Sequence, residues 1–133
     1  MKDKDRFYLG IAKEVSKASY CKRAQVGAII VKDDNIISFG YNGTPSGFEN
    51  VCECEDGNSK REVLHAESNA LAKCSKSTYS SKDAVLYLTM SPCYDCAKLI
   101  IQSGITRVVY LEEYRITDGI ELLKKAHVEI LKM

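Results

Sequence analysis

At 133 residues the chain is long enough for one domain and buries roughly two thirds of the surface its unfolded form exposes, so its six cysteines are not needed as staples. With 45% hydrophobic and 28% charged residues it has the composition of a soluble globular protein. A net charge of +1 argues against a long nucleic-acid strand or an anionic membrane as partner, while leaving room for a compact anionic ligand at a local basic site. Residues 1–6 are charged and run into an amphipathic stretch unlike a signal peptide, and no run reaches the length of a membrane span. A cytoplasmic protein is expected (host cytoplasm if viral), where cysteines stay reduced and are metal ligands or inert core residues more often than disulfides.

Tyr8, Ile11, Ala12, Val15 and Ala18 recur at helical spacing, so the first twenty residues read as an amphipathic helix. Residues 25–32 (QVGAIIVK) are apolar and β-branched, Asp33, Asp34 and Asn35 form a turn, and residues 36–41 (IISFGY) return as the second strand of a hairpin. Residues 42–58 are rich in Gly, Asn and Pro and hold two cysteines, a long loop of the kind that is functional or pinned by a metal. Residues 63–76 read as a helix carrying His65, residues 77–82 as a polar linker and residues 84–90 as a buried strand. Ser91 and Pro92 open a helix that runs to Ser103 and stops at Gly104. A strand over 105–111, a helix over 117–126 and a short strand over 127–131 complete an α-β-β-α-β-α-β-α-β order within a single domain, 1–133, whose natural solution is a sheet with helices on both faces.

The strongest chemical signal is His65-Ala66-Glu67 followed by Pro92-Cys93-Tyr94-Asp95-Cys96. Two cysteines three residues apart at a helix start can share one metal, and the N–H groups and dipole there favour thiolates. One imidazole and two thiolates make a three-ligand zinc set with a fourth position open to water, whose pKa the metal lowers to about 7. Residues i and i+2 lie on largely opposite faces of a regular helix, which makes Glu67 an awkward fourth ligand and a better proton carrier. The pattern H-x-E…P-C-x-x-C is the signature of zinc deaminases. The rival readings of the cysteines are a buried pair or a redox C-x-x-C, though nothing around them looks thioredoxin-like.

The chain resembles the deoxycytidylate (dCMP) deaminase family, particularly its small viral and phage members. The likeness runs through Gln25-Val26-Gly27-Ala28, Gly40-Tyr41-Asn42-Gly43-Thr44-Pro45, His65-Ala66-Glu67-Ser68-Asn69-Ala70, residues 91–104, Val109-Tyr110 and Tyr114. That resemblance implies a three-layer α/β/α cytidine deaminase-like fold around a central five-stranded mixed sheet, a zinc-dependent conversion of dCMP to dUMP and ammonia on the way to dTMP, and a homohexamer regulated by dCTP and dTTP. It implies zinc on His65, Cys93 and Cys96, and Glu67 carrying protons from water to ring N3 and the departing amine. Ala66 N–H and the Ser91 carbonyl would grip the base and Asn42 the sugar, with Val26 and Tyr114 near the substrate. It also suggests a second, structural zinc on Cys21 and Cys52, completed by Cys54 or Glu62; the loop is shorter here than in relatives that have such a site, and their histidine ligand has no counterpart.

Arg23 and Arg115 are candidates for the phosphate, since arginine makes forked bonds to phosphate oxygens. Gly43, Thr44, Ser46 and Gly47 belong to a small-residue run that is either a turn or a place for close approach of a nucleotide. Cys74 reads as core, and His127 has no assigned role. Other functions compete. A free-nucleoside cytidine deaminase usually has cysteine where this chain has His65. A tRNA adenosine deaminase shares H-A-E and P-C-x-x-C but needs a basic surface for RNA. Deamination of dCTP or a 5-modified dCMP uses the same base chemistry, whereas a zinc-stabilised binding module without turnover has no use for Glu67.

Overall fold

Three central strands are apolar on both faces, which requires a helical layer on each side of the sheet. The computed structural model describes residues 2–133; Met1, in the charged N-terminal stretch, lies outside the described residues. The elements are α1 (Lys2–Ser16), β1 (Gly27–Lys32), β2 (Asn35–Tyr41), α2 (Ala66–Ser75), β3 (Val85–Met90), α3 (Tyr94–Gln102), β4 (Arg107–Glu112), α4 (Asp118–Lys125) and β5 (Glu129–Lys132). They form one five-stranded sheet in the order β2-β1-β3-β4-β5. The β1–β2 and β1–β3 pairs are antiparallel, while β3, β4 and β5 run parallel. This is the expected mixed sheet in a three-layer α/β/α fold.

Period-two alternation sorts the side chains between the layers. Ala28, Ile30, Leu86, Leu88, Val108 and Tyr110 face the layer of α2, α3 and α4. Ile29, Val31, Tyr87 and Val109 face α1, against Tyr8, Leu9 and Ala12. Asp33 and Asp34 take φ of 50° and 63°, the left-handed pair that joins two strands with the right twist in a two-residue hairpin. Cys74 is buried in the core as expected. Among the described residues no helix is long and apolar enough to cross a membrane.

Element ends differ from the sequence reading for tertiary reasons. α1 stops at Ser16, leaving Ala18 exposed beyond it, and Leu9 and Asp5 are buried in its face. α2 begins at Ala66 rather than at residue 63. There Leu64 exchanges backbone hydrogen bonds with Gly43, at 2.7 and 3.1 Å. A strand-like bridge has claimed the residues that would have been the first helical turn.

A buried polar cluster pins α1 to β3 and β4, in addition to the bonds of Lys4 and Tyr8 to Asp34 at the β1–β2 turn. Asp5 is 1% exposed; its two carboxylate oxygens accept from Arg107 Nη1 and Nη2 at 2.7 Å each, and Tyr87 donates its hydroxyl at 2.8 Å. Arg107 also donates through Nε to Glu129 at 2.6 Å, tying β4 to β5. The Arg107 bonds hold the Asp5 carboxyl below its usual value despite burial. The folded state therefore binds that proton less readily than the unfolded chain. This contribution to stability is full above the ordinary value of 3.8 and is lost as pH falls through the lower folded value. Asp5→Asn strips the partly buried Arg107 guanidinium of one of its two carboxylate partners, Glu129 remaining, and is expected to cost about 2 kcal/mol, read by urea denaturation at pH 7. The deficit should shrink as the pH is lowered below 4, and a pH-independent deficit would contradict this account.

Candidate active site

Two helices begin at the same place. His65 is the N-cap of α2, with φ −76° and ψ 158°, and Cys93 is the N-cap of α3, with φ −73° and ψ 172°. N-cap side chains commonly bond back to the helix's free N–H groups. Neither does so here, and both side chains turn toward one another instead. Cys96 follows in the first turn of α3, under the positive end of the helix dipole that favours a thiolate.

His65 Nδ1 lies 3.4 Å from Cys93 Sγ and 3.3 Å from Cys96 Sγ, and all three donor atoms lie within 4.8 Å of one another. Tetrahedral zinc with ordinary Zn–N and Zn–S bonds separates such donors by about 3.5–3.8 Å, so the set fits zinc with little adjustment. Hydrogen bonding from the Cys96 thiol, aided by the His65 ring, draws the Cys93 thiol down to about 4. The same contact and burial push Cys96 up. The pair thus holds one negative charge readily and the second only with a cation between them. Contact with Cys93 raises His65.

Glu67 is 4% exposed. Burial pushes its carboxyl up to about 7, where it can both hold and release a proton near neutrality. The opposite-face argument for residues 65 and 67 does not apply, because His65 stands outside the helix on extended backbone. Both side chains line the same cavity, of about 390 Å³.

Two glycines let these helices reach the site. A Cβ on Gly40 would come within 2.5 Å of Ala70 N and 2.6 Å of the Ala66 carbonyl; one on Gly119 would come within 2.3 Å of the Pro92 carbonyl and 2.8 Å of the Cys93 carbonyl. The sheet can thus seat α2 directly, and α4 can abut the backbone of a ligand residue.

Of the residues expected around a substrate, Val26, Asn42, Ala66, Ser91, Tyr114 and Arg23 all line the cavity. Asn42 is also a brace: its Oδ1 accepts from Val26 N at 2.9 Å and its Nδ2 donates to the Ala24 carbonyl at 2.8 Å. Tyr114 is anchored through its N–H to Ser91 Oγ at 2.7 Å. Arg115 is exposed and does not line the cavity, nor do Gly43, Thr44, Ser46 and Gly47. Thr44 donates its N–H to the Tyr20 hydroxyl at 3.0 Å and its hydroxyl to the Glu49 carbonyl at 2.9 Å.

The other cysteines depart from the expectation of reduced thiols on a second zinc. Cys21 and Cys52 form a disulfide, which occupies both sulfurs. Cys54 and Glu62 are exposed, and the third donor beside the bridge is Glu53. Glu53, Lys60 and Arg61 line the cavity and were missed in the sequence. The one available hint was a basic pair shortly before the His-x-Glu motif.

Comparison with known proteins agrees with this geometry. The family model for the cytidine and deoxycytidylate deaminase zinc-binding region matches residues 1–112. The deoxycytidylate deaminase of Mycobacterium phage D29 is 38% identical over 125 residues, spanning 84% of this chain and 96% of that protein. That of Enterobacteria phage T4 is 36% identical over 148 residues, spanning 80% and 76%. The crystal structure of dCMP deaminase from the cyanophage S-TIM5 in complex with dCMP and dUMP superposes with a TM-score of 0.97 at 49% identity, covering 100% of this chain and 98% of that one.

Cys93→Ala and Cys96→Ala should each abolish stoichiometric zinc binding while leaving the circular dichroism spectrum near that of the parent. Zinc retained at one per chain in either variant, measured by elemental analysis after dialysis, would remove that residue from the ligand set.

Proposed function

The chain belongs to the cytidine and deoxycytidylate deaminase family, and on that footing we propose that it hydrolyses dCMP to dUMP and ammonia. One observation carries the proposal: a zinc-type donor triad and a buried, proton-exchanging carboxyl share a cavity whose rim is cationic. Zinc, when bound to His65, Cys93 and Cys96, supplies Lewis acidity and an activated water near neutral pH.

The remaining work falls to the protein. Glu67 takes a proton from the attacking water, places it on ring N3 and later delivers one to the leaving amine, a cycle that needs a carboxyl able to be either acid or base. Ala66, at the start of α2, offers a backbone N–H without an intrahelical partner, suited to the base carbonyl. Ser91, just past the end of β3, offers its own carbonyl to the exocyclic amine. Asn42 and Tyr114 flank the sugar, and Arg23 lies at the rim where a 5′-phosphate emerges. Assembly into a homo-oligomer, a hexamer by family resemblance, with dCTP and dTTP as effectors, belongs to the same reading.

The test is ammonia release from dCMP, deoxycytidine, dCTP and CMP by zinc-loaded protein. Preference for dCMP is the expected outcome; better turnover of deoxycytidine or dCTP would refute the monophosphate assignment. Glu67→Gln should lower kcat on dCMP by roughly 10³-fold or more with zinc content unchanged. Activity near the parent's would dismiss Glu67 as the proton carrier.

A further inference from the structure

With the base set against the triad and Glu67, the sugar and phosphate run outward to the rim, where two loop segments face one another. Arg23 comes from the connection between α1 and β1, and Lys60 and Arg61 from the long connection between β2 and α2. A single carboxylate from outside the triad's neighbourhood lines the same opening: Glu53.

Glu53 is held in place. Its Oε2 accepts the consecutive N–H groups of Lys22 and Arg23 at 2.9 and 3.2 Å, a small cradle for an anion. Partial burial pulls the carboxyl up, but those N–H groups outweigh it and leave it below the usual carboxylate value. The residue before Glu53 is Cys52, bonded to Cys21, and the residue after Cys21 is Lys22. Glu53 bridges Ser59 across the loop, and Lys60 donates its N–H to the Cys52 carbonyl at 2.7 Å. The negative charge is therefore fixed, among cations on long and adaptable stems.

We propose that Glu53 is a specificity-determining residue, whose fixed carboxylate confines the site to nucleoside 5′-monophosphates by repelling further phosphates, while Arg23, Lys60 and Arg61 receive the first. The inference rests on the deaminase reading and deepens it. Discrimination between closely related ligands commonly depends on such a repulsive element as well as on attractive contacts. Three cations alone would favour a triphosphate, because Coulomb attraction grows with ligand charge.

The experiment measures by calorimetry the binding of dCMP, dCDP and dCTP that excess deoxycytidine displaces from zinc-loaded Glu67→Gln protein, with and without Glu53→Gln, so that binding at an effector site is not counted. Glutamine keeps an oxygen to accept the Lys22 and Arg23 N–H groups and removes only the charge. The parent background should favour dCMP over dCTP; Glu53→Gln should narrow that preference by about tenfold, with dCDP intermediate. The parent's preference should also weaken as salt is raised, whereas the variant, left with the three cations alone, should shift toward dCMP as their attraction is screened. An unchanged ratio overturns the proposal, as does equal weakening of all three ligands, which marks a merely structural role. If Glu53→Gln fails to fold, the salt dependence of the parent's dCMP-to-dCTP ratio decides, and a ratio that does not fall with salt overturns the proposal; Lys60→Ala with Arg61→Ala should lower dCMP affinity, and unaltered dCMP affinity overturns the phosphate site. These ratios are read from binding, so failure of the deaminase reading shows separately, as wild-type protein that releases no ammonia from any cytosine nucleotide.

Discussion

Two helix N-termini have to meet at one point, and most of this fold can be understood as the means of bringing them there. α2 and α3 are short, and each presents its capping residue, His65 or Cys93, to the same small volume. A helix start concentrates unpaired N–H groups and positive potential. That environment favours thiolate ligands and leaves donors free for a bound base. The parallel strands β3 and β4 hold α3 against the same sheet face that carries α2, and β1, antiparallel to β3, fixes Val26, the cavity residue just before it. α1, on the opposite face, never touches the site, yet its Asp5–Arg107–Glu129 chain locks the layer that supports it.

Away from this framework the cavity is built from loops, and those loops are tied by side chains. The Cys21–Cys52 disulfide, the Glu53 carboxylate and the Asn42 amide each link the α1–β1 connection to the segments that follow β2. The rim residues accordingly come from the least regular part of the chain and still have defined positions. The division of labour is physical. The metal-type donors sit on helix starts where geometry is rigid, and the charged rim side chains sit on braced loops that can vary without disturbing those donors.

The central strands were legible because being buried on two faces leaves a plain mark: near-continuous Val, Ile, Leu and Tyr over six residues. The donor triad was legible because a metal needs particular side chains at a particular spacing. His65's place outside the helix was not legible. Val63 and Leu64 suit a helical face as well as a bridge, and only the partner strand segment at Gly43 decides between them. The Cys21–Cys52 pair lies 31 residues apart, and compartment-based expectation pointed to free thiols; spacing carries no information on pairing. Lys60 and Arg61 looked like ordinary surface cations, since their meaning comes from facing Arg23 across a gap that only the folded loops create.

Gly40 and Gly119 do not line the cavity, yet each stands where a single added carbon would collide with the backbone of Ala66, Ala70, Pro92 or Cys93. A saturation screen scored by activity would therefore rank them with His65 and Cys93. Read as a map of chemistry, such a screen would enlarge the active site by two residues that have none. Read as a map of clearance, it would trace the surfaces along which α2 and α4 are allowed to approach, and it would show that in this fold the tolerance of a position measures the space behind it as much as the work in front.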